Sequence, residues 1–472
     1  MKLKSQNFGT FKFPSDYKVV KSATLNKTDL ANGNNKFYQI EAHVSGDGAK
    51  YRLYSCYGRV GAQGVKEERI PAQDQHALES AFNALLSEKT SKKKGYQEVK
   101  VANTKLGSDV GNQIILSDDI KRDKVKTGKA VRSSIKLDAA TAQLIKRLYD
   151  EAGQACKSQL NTGQLKATAE NPLGTLTLTQ ISEGRAILQE IQQLITKSRS
   201  LIGTFDSRLV KLSNQFYSAI PQVIPMRPRK AEGTGALNAY LKELALNSAE
   251  KLDEKEDLLG LLSDVEGMSS GFASSDIEAK YLEIGCKYNL VPNRSDEFNR
   301  VVSYITKSRS RHHGWNVSIR NIWRIDNGLT KSNASLMDQI GNVNELFHGS
   351  RPSNILGICK KGLLMRPKGV YITGSMFGNG IYFADQSSKS EQYSSARFGG
   401  SRGSSDSYFM FIADVALGKI KKYDTSQSWL NSPPSGYHSV QGEKGRSLVH
   451  NEFIIYTPKQ NILKYLIEFS MR

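Results

Sequence analysis

The chain has 472 residues, 38% of them hydrophobic, and 66 Lys+Arg against 46 Asp+Glu give it a formal charge of +20. That length supports roughly two to four cored domains, and the charge points to a polyanionic partner, nucleic acid before membrane. No run approaches the roughly 18 uninterrupted apolar residues of a membrane span, the start MKLKSQNFGTFKF lacks an apolar signal core, and the four cysteines, Cys56, Cys156, Cys286 and Cys359, stand singly, which excludes a disulfide framework or a CxxC zinc knuckle.

Residues 1–136 hold 25 Lys+Arg and 14 Asp+Glu, more than half of the net excess in under a third of the chain. A nucleic-acid footprint is expected there. From Asn35 to Val101, KFYQIEAHV and KYRLYSCYGRVG alternate as strands do around the turn-rich SGDGA. In DQHALESAFNALLSEKT, Leu78, Phe82, Leu85 and Leu86 recur at helical spacing, so one amphipathic helix should lie on a small antiparallel sheet. The run Lys92, Lys93 and Lys94 follows it. Residues 1–115 form this first domain, and 116–136, polar and charge-dense, form a basic linker.

Residues 137–330 read as a helical bundle. One apolar stripe is Ile187, Leu188, Ile191, Leu194 and Ile195, and a second is Leu252, Leu258, Leu259, Leu262 and Val265. Breaks fall at NPLGT, SAIPQVIPMRP and EGMSSG. Residues 331–472 change texture to the strand runs GIYFA, SYFMFIADVALG, NEFIIYT and ILKYLIEF, joined by Gly- and Ser-rich loops, and read as a mostly β domain. The fold class expected is therefore α+β and multidomain.

Within that last domain LFHGSRPSN, GSMFGNGIYFADQSSKSEQYS, GYHSVQG and HNEFIIY carry functional side chains on strand ends and turns. In this order they closely resemble the catalytic domain of the poly(ADP-ribose) polymerases. NPLGTLTLTQI and LSNQFYSAIP look like the regulatory helical domain of the DNA-dependent members, and the N-terminal sheet resembles their WGR domain, with Tyr57-Gly58-Arg59 in place of the naming triplet.

The resemblance implies a His-Tyr-Glu catalytic set of His348, Tyr382 and Glu452, with NAD+ consumed as a substrate and no permanently bound cofactor. The nicotinamide–ribose bond breaks through an oxocarbenium-like state that needs a nearby anion and a firmly held ring. Glu452 would supply the anion, accepting from the ribose 2′-OH and orienting the acceptor hydroxyl. Tyr382 and Tyr393 would sandwich the nicotinamide. Ser390 and the backbone of Gly349 would bond its amide, and Lys389 is expected close to Glu452. His348 and Ser350 would hold the adenosine ribose, with Asn354 nearby. Asp276, Glu278 and Arg366 are the adenine-side candidates. Arg366 stands in for an arginine that the family carries where this chain has Leu364, and Ser375 replaces a usual tyrosine.

DNA with breaks or ends would meet Tyr57, Arg59, Lys92, Lys93 and Lys94, with Tyr57 open to either base stacking or a place under the sheet. The helical domain would act as a lid that DNA binding releases. Proteins, this one included, would be acceptors, with no membrane partner. The setting would be intracellular: the nucleus of a eukaryote, or the nucleoid or cytoplasm of a prokaryote or virus-infected cell.

Glu452 favours polymer formation. A mono-ADP-ribosyltransferase and a catalytically degenerate DNA-end-binding scaffold are the alternatives. GSMFGNG precedes a strand rather than opening a helix and no GxxxxGK[ST] occurs, which argues against a dinucleotide-binding oxidoreductase. The pair His312-His313 lacks partners at ligand spacing, so no metal is expected.

Overall fold

The computed structural model describes residues 13–14, 16–62, 64–69, 74–100, 136–160, 176–268, 275–365, 376–394 and 407–471. In chain order the elements are β1 (Tyr17–Asp29), β2 (Asn34–Ser45), β3 (Tyr51–Arg59), β4 (Val65–Arg69), α1 (Gln75–Thr90), β5 (Gln97–Val99), α2 (Ala139–Leu160), α3 (Leu178–Lys197), α4 (Ser207–Ala219), α5 (Gly233–Leu244), α6 (Ala249–Gly267), α7 (Ile277–Ile284), β6 (Lys287–Leu290), α8 (Asp296–Lys307), β7 (Val317–Asp326), α9 (Thr330–Ile340), β8 (Val343–Gly349), α10 (Pro352–Lys361), β9 (Ile381–Phe383), α11 (Ser387–Ser394), β10 (Tyr408–Ala416), β11 (Ile420–Tyr423), β12 (Ser439–Gly442), β13 (Glu452–Ile455) and β14 (Asn461–Met471). Contacts divide them into two compact units, Met1–Val131 with Lys157–Glu266, and Arg132–Cys156 with Gly267–Arg472. Among the described residues no helix is long and apolar enough to cross a membrane.

The first unit contains an antiparallel sheet in the order β4-β3-β2-β1-β5. Strand side chains alternate between faces, and here the two faces have different uses. Ala23, Leu25, Ile40 and Leu53 pack under Leu78, Phe82 and Leu85 of α1, whose first turn is capped by the Asp74 carboxylate accepting the Ala77 N–H at 2.7 Å. On the other face Asn26 donates to the Tyr217 carbonyl at 2.9 Å and Asn35 to the Gln222 carbonyl at 2.9 Å. These bonds seat the end of α4 on the sheet. The two expected helical stripes lie on α3 and α6, where Leu188, Ile191, Ile195, Leu252, Leu258, Leu259 and Leu262 are buried.

The second unit is built on two sheets, β6-β7-β14-β10-β8 and β11-β12-β13-β9. Val301, Ile305, Ile322, Phe347, Met410, Ile412, Ile467 and Phe469 form the core against the first, and Phe377, Leu430, Val440 and Ile454 a smaller core against the second. A pair of hydrogen bonds joins an edge of each sheet. Phe347 N–H donates to the Ala384 carbonyl and Ala384 N–H to the Phe347 carbonyl, both at 2.9 Å.

The expected strand runs become β9, β10, β13 and β14. The domain border expected at residue 330 falls earlier, because β6 and β7 belong to the five-stranded sheet and pair with one another and with β14. Helix α2 also belongs largely to this unit, with the buried Trp323 indole donating to Thr141 Oγ1 at 3.0 Å. The basic linker expected at 116–136 lies, but for Lys136, outside the described residues.

Candidate active site

The bridge at Phe347 and Ala384 sets the next residue on β8, His348, against β9. His348 Nδ1 lies 2.9 Å from the Tyr382 carbonyl. A carbonyl only accepts, so Nδ1 carries the proton and Nε2 is left with its lone pair. Burial lowers the imidazole pKa, partly offset by that hydrogen bond, and the ring is neutral at pH 7. Nε2 can accept a hydrogen bond from a hydroxyl without bringing a charge into the site.

Tyr382 is pinned at its other end: its hydroxyl donates to the Gly378 carbonyl at 2.8 Å and accepts the Phe377 N–H at 3.1 Å. The turn it grips is tight. Gly378 has φ +70°, and a Cβ there would lie 1.9 Å from the Leu430 carbonyl oxygen.

Gly349 ends β8 under the same restriction. A Cβ on it would stand 1.9 Å from the Ser390 carbonyl oxygen, so the glycine first serves the docking of α11. That close approach brings Lys389 and Ser390, both buried, and Tyr393, 52% exposed, to the end of β8. Burial around the Tyr393 phenol, and then the Glu452 charge, raise its pKa.

Glu452 begins β13, which pairs directly with β9. Lys389 Nζ lies 2.7 Å from Glu452 Oε1 and also reaches the Asn451 carbonyl at 3.5 Å. Glu452 is only 7% exposed, and its second oxygen, Oε2, is buried without a hydrogen-bond partner. A buried carboxylate oxygen costs free energy unless it is bonded, so this atom is a ready acceptor for a substrate hydroxyl. Ser350 Oγ accepts from Asn354 Nδ2 at 3.3 Å, which links the β8 end to α10.

The expected set of His348, Gly349, Tyr382, Lys389, Ser390, Tyr393 and Glu452 is thus brought together by β8, β9, α11 and β13, with Ser350 and Asn354 at its margin. The remaining candidates fare differently. Asp276 caps α7, accepting the Glu278 N–H at 2.9 Å, and α7 packs against α10. Arg366 lies outside the described residues, as does Ser375.

In the first unit, Arg59 is engaged internally: Nη1 donates to the Gly33 carbonyl at 3.1 Å, and Nη2 to those of Ile224 and Pro225 at 2.9 and 3.1 Å. It clasps the sheet to the segment after α4, and these bonds compete with any phosphate. The Tyr57 ring stacks on Tyr38 with centroids 5.1 Å apart, which takes one of its faces. Lys92, Lys93 and Lys94 are exposed in the turn after α1.

Sequence reading missed His450. It is 5% exposed, and both ring nitrogens are buried without partners. Its position two residues before Glu452 was the available signal. The pair His312-His313 packs beside it, with centroids 6.2 and 5.0 Å away. Among the described residues no group of three or more His, Cys, Asp or Glu could hold a metal ion.

Comparison with known proteins finds three matching domains. Residues 295–449 match the model of the poly(ADP-ribose) polymerase catalytic domain, 135–281 that of the poly(ADP-ribose) polymerase regulatory domain, and 21–103 that of the WGR domain. The catalytic match starts well before 330, as the sheet order requires, and stops just short of Glu452. Poly [ADP-ribose] polymerase 1 of Xenopus laevis is 28% identical over 95% of this chain and 45% of its own length. The Arabidopsis thaliana polymerase 1 is 26% identical over 97% and 47%, and its polymerase 2 is 25% identical over 95% and 73%. The chain spans about half the length of the first two relatives. Catalytic, regulatory and WGR domains in one chain define the class. The chain belongs to the poly(ADP-ribose) polymerase family.

Two substitutions test the geometry. Gly349→Ala forces Cβ onto backbone that cannot swing aside, and should cost at least the roughly 1–3 kcal/mol of an overpacked core, read as a lowered urea midpoint. Arg59→Ala removes three charge-assisted bonds and should cost about 1–3 kcal/mol in the first unit, seen as earlier loss of amide-exchange protection in β2, β3 and the 220–225 segment. Unchanged protection there would show that Arg59 is not the clasp.

Proposed function

We propose that this chain is a DNA-damage-activated poly(ADP-ribose) polymerase. It transfers ADP-ribose from NAD+ to protein side chains, its own included, and to growing ADP-ribose chains, releasing nicotinamide. The observation that carries this reading is the Lys389–Glu452 pair, in which the ammonium holds one carboxylate oxygen at 2.7 Å while Oε2 stays buried and unbonded.

Each residue then has a chemical task. Glu452 Oε2 accepts the 2′-OH of the nicotinamide ribose and sets a negative charge beside the carbon on which positive charge develops. Lys389 fixes the carboxylate. Tyr382, locked at both ends, and Tyr393, half exposed, offer ring faces for the nicotinamide. The His348 lone pair and Ser350 take the adenosine-ribose hydroxyls. Nicotinamide leaves as a neutral base with the electron pair of the broken bond, and the acceptor oxygen takes its place.

DNA ends are the proposed activator. The family's WGR domain and the net positive charge of the N-terminal third support that, with Lys92, Lys93 and Lys94 as phosphate contacts. An intracellular site, wherever the DNA is held, follows from the same partner.

Labelled NAD+ incubated with the protein, with and without nicked DNA, is the direct test. A DNA-dependent smear on a denaturing gel is expected, and Glu452→Gln should abolish it or collapse it to a discrete band. DNA binding without nicotinamide release from the parent protein would overturn the proposal in favour of a scaffold. His348→Ala should raise KM for NAD+ by ~10-fold or more, the value of about 1.4 kcal/mol of ground-state binding. An unchanged KM would remove His348 from the ribose site.

A further inference from the structure

Helix α11 carries Lys389, Ser390 and Tyr393, yet its sequence SSKSEQYS contains no aliphatic residue. Six of its eight residues, Ser387, Ser388, Lys389, Ser390, Glu391 and Ser394, are buried all the same. An isolated helix shorter than about 12 residues is marginal, and without an apolar stripe no hydrophobic seam sets the rotation of this one about its axis. Directed polar contacts set it instead.

Those contacts run to the end of α8 and the loop that follows. Ser387 Oγ donates to the Ile305 carbonyl at 2.8 Å, and Ser388 Oγ accepts the Ser310 N–H at 2.9 Å. Glu391 is fully buried, and both of its carboxylate oxygens accept from Arg309 Nη1, at 2.6 and 2.7 Å. Its Oε2 also accepts from the Trp315 indole N–H at 2.9 Å, and Arg309 Nη2 donates to the Trp315 carbonyl. Arg309, Glu391 and Trp315 thus form a closed ring of hydrogen bonds.

At about 100° per residue, Ser387, Ser388 and Glu391 share one side of α11, and Lys389 and Tyr393 lie on the opposite side. That opposite side meets the site, where Lys389 Nζ stands 2.7 Å from Glu452 Oε1. Side-chain ends ride roughly 5–6 Å from a helix axis, so a rotation of about 10° displaces them by about 1 Å. A misplacement of that size can slow an enzyme on the order of 100-fold. Buried ion pairs contribute little net stability, and this one sits where it controls that rotation.

We propose that Arg309 and Glu391 are positioning residues for the transfer reaction: their buried ion pair, closed by Trp315, fixes the rotation of α11 and so places Lys389 on Glu452 and the Tyr393 ring at the nicotinamide position. The assignment rests on the transferase reading of the site. Neither residue touches substrate, and both act through the helix. The two ends of NAD+ then depend on different supports. The nicotinamide end depends on α11, whereas the adenosine-ribose end depends on β8 and α10, which carry His348, Ser350 and Asn354.

That division gives the test, made on the full-length protein with nicked DNA present throughout. Arg309→Met combined with Glu391→Met replaces the pair by apolar side chains of similar length, a change that is often neutral for stability. The urea midpoint should stay near the parent's, while kcat for nicotinamide release falls about 100-fold. The Kd for nicotinamide should rise about 10-fold, the worth of one lost ring contact, and the Kd for ADP-ribose should not move. A merely structural pair would leave kcat and both dissociation constants of the folded molecule at parent values. That result overturns the assignment, as does an equal loss of affinity for nicotinamide and ADP-ribose. If the double variant fails to fold, Trp315→Phe decides, since it keeps the ring and the ion pair and deletes only the indole N–H. It should lower kcat and weaken nicotinamide without weakening ADP-ribose, and parent values overturn the proposal. A parent protein that releases no nicotinamide would instead sink the transferase reading, and this assignment with it.

Discussion

Two backbone hydrogen bonds between Phe347 and Ala384 are the constraint on which the catalytic unit depends. They tie an edge of the five-stranded sheet to an edge of the four-stranded one, and every proposed catalytic group lies within a few residues of that seam or on a strand paired to it. His348 follows Phe347, Tyr382 precedes Ala384, and β13, with Glu452 at its start, is β9's neighbour. Because side chains alternate along a strand, a one-residue slip at the seam would exchange Phe347, fully buried in the core, with His348. Core packing and site geometry are therefore fixed by the same register.

Within that frame the electrostatics are sparse by design. The ammonium of Lys389 is bonded to one Glu452 oxygen, and the other oxygen is left for a ligand. Buried ion pairs gain little net stability because desolvating two charges offsets most of their attraction. A pair with one oxygen unsatisfied gains less still. Its persistence is better explained by readiness to bind than by stability. His348 fits the same logic, since its neutral ring adds an acceptor without adding a positive charge that would compete for Glu452 with the cation developing in the proposed reaction.

Much of this was legible in the chain, and the rest was hidden for physical reasons. HGS, GIYFAD, SKS and NEF each combine a candidate site residue with a turn or strand signal, and the structure brings the four segments together. Strands β6 and β7 were not seen, because NVSIRNIWRID carries polar residues where a buried strand would be apolar. Asn321 is satisfied by Glu468 at 2.7 Å, a partner far away in the chain. Arg59 read as a phosphate ligand because its type suits phosphate, whereas its partners are carbonyls 26 to 166 positions distant. His450 was passed over because the spacing rules for metals and triads do not describe a lone imidazole whose distinguishing property is the absence of a hydrogen bond.

That distinction bears on how the positive charge of the N-terminal third should be understood. Arg52 contributes to the count, yet it is buried, with its guanidinium bonded to Glu68 at 2.7 Å and to His43. Arg59 is spent on three carbonyls. Counterion release depends on the charges that reach phosphates, and each one that does adds close to one unit to the salt slope of binding. Exposed lysines such as those at 92–94 can contribute to that slope, while the two arginines of β3 stabilise the sheet and its attachment to the helices. The net charge of +20 is therefore not a count of phosphate contacts, because the fold commits arginines such as Arg52 and Arg59 to internal partners.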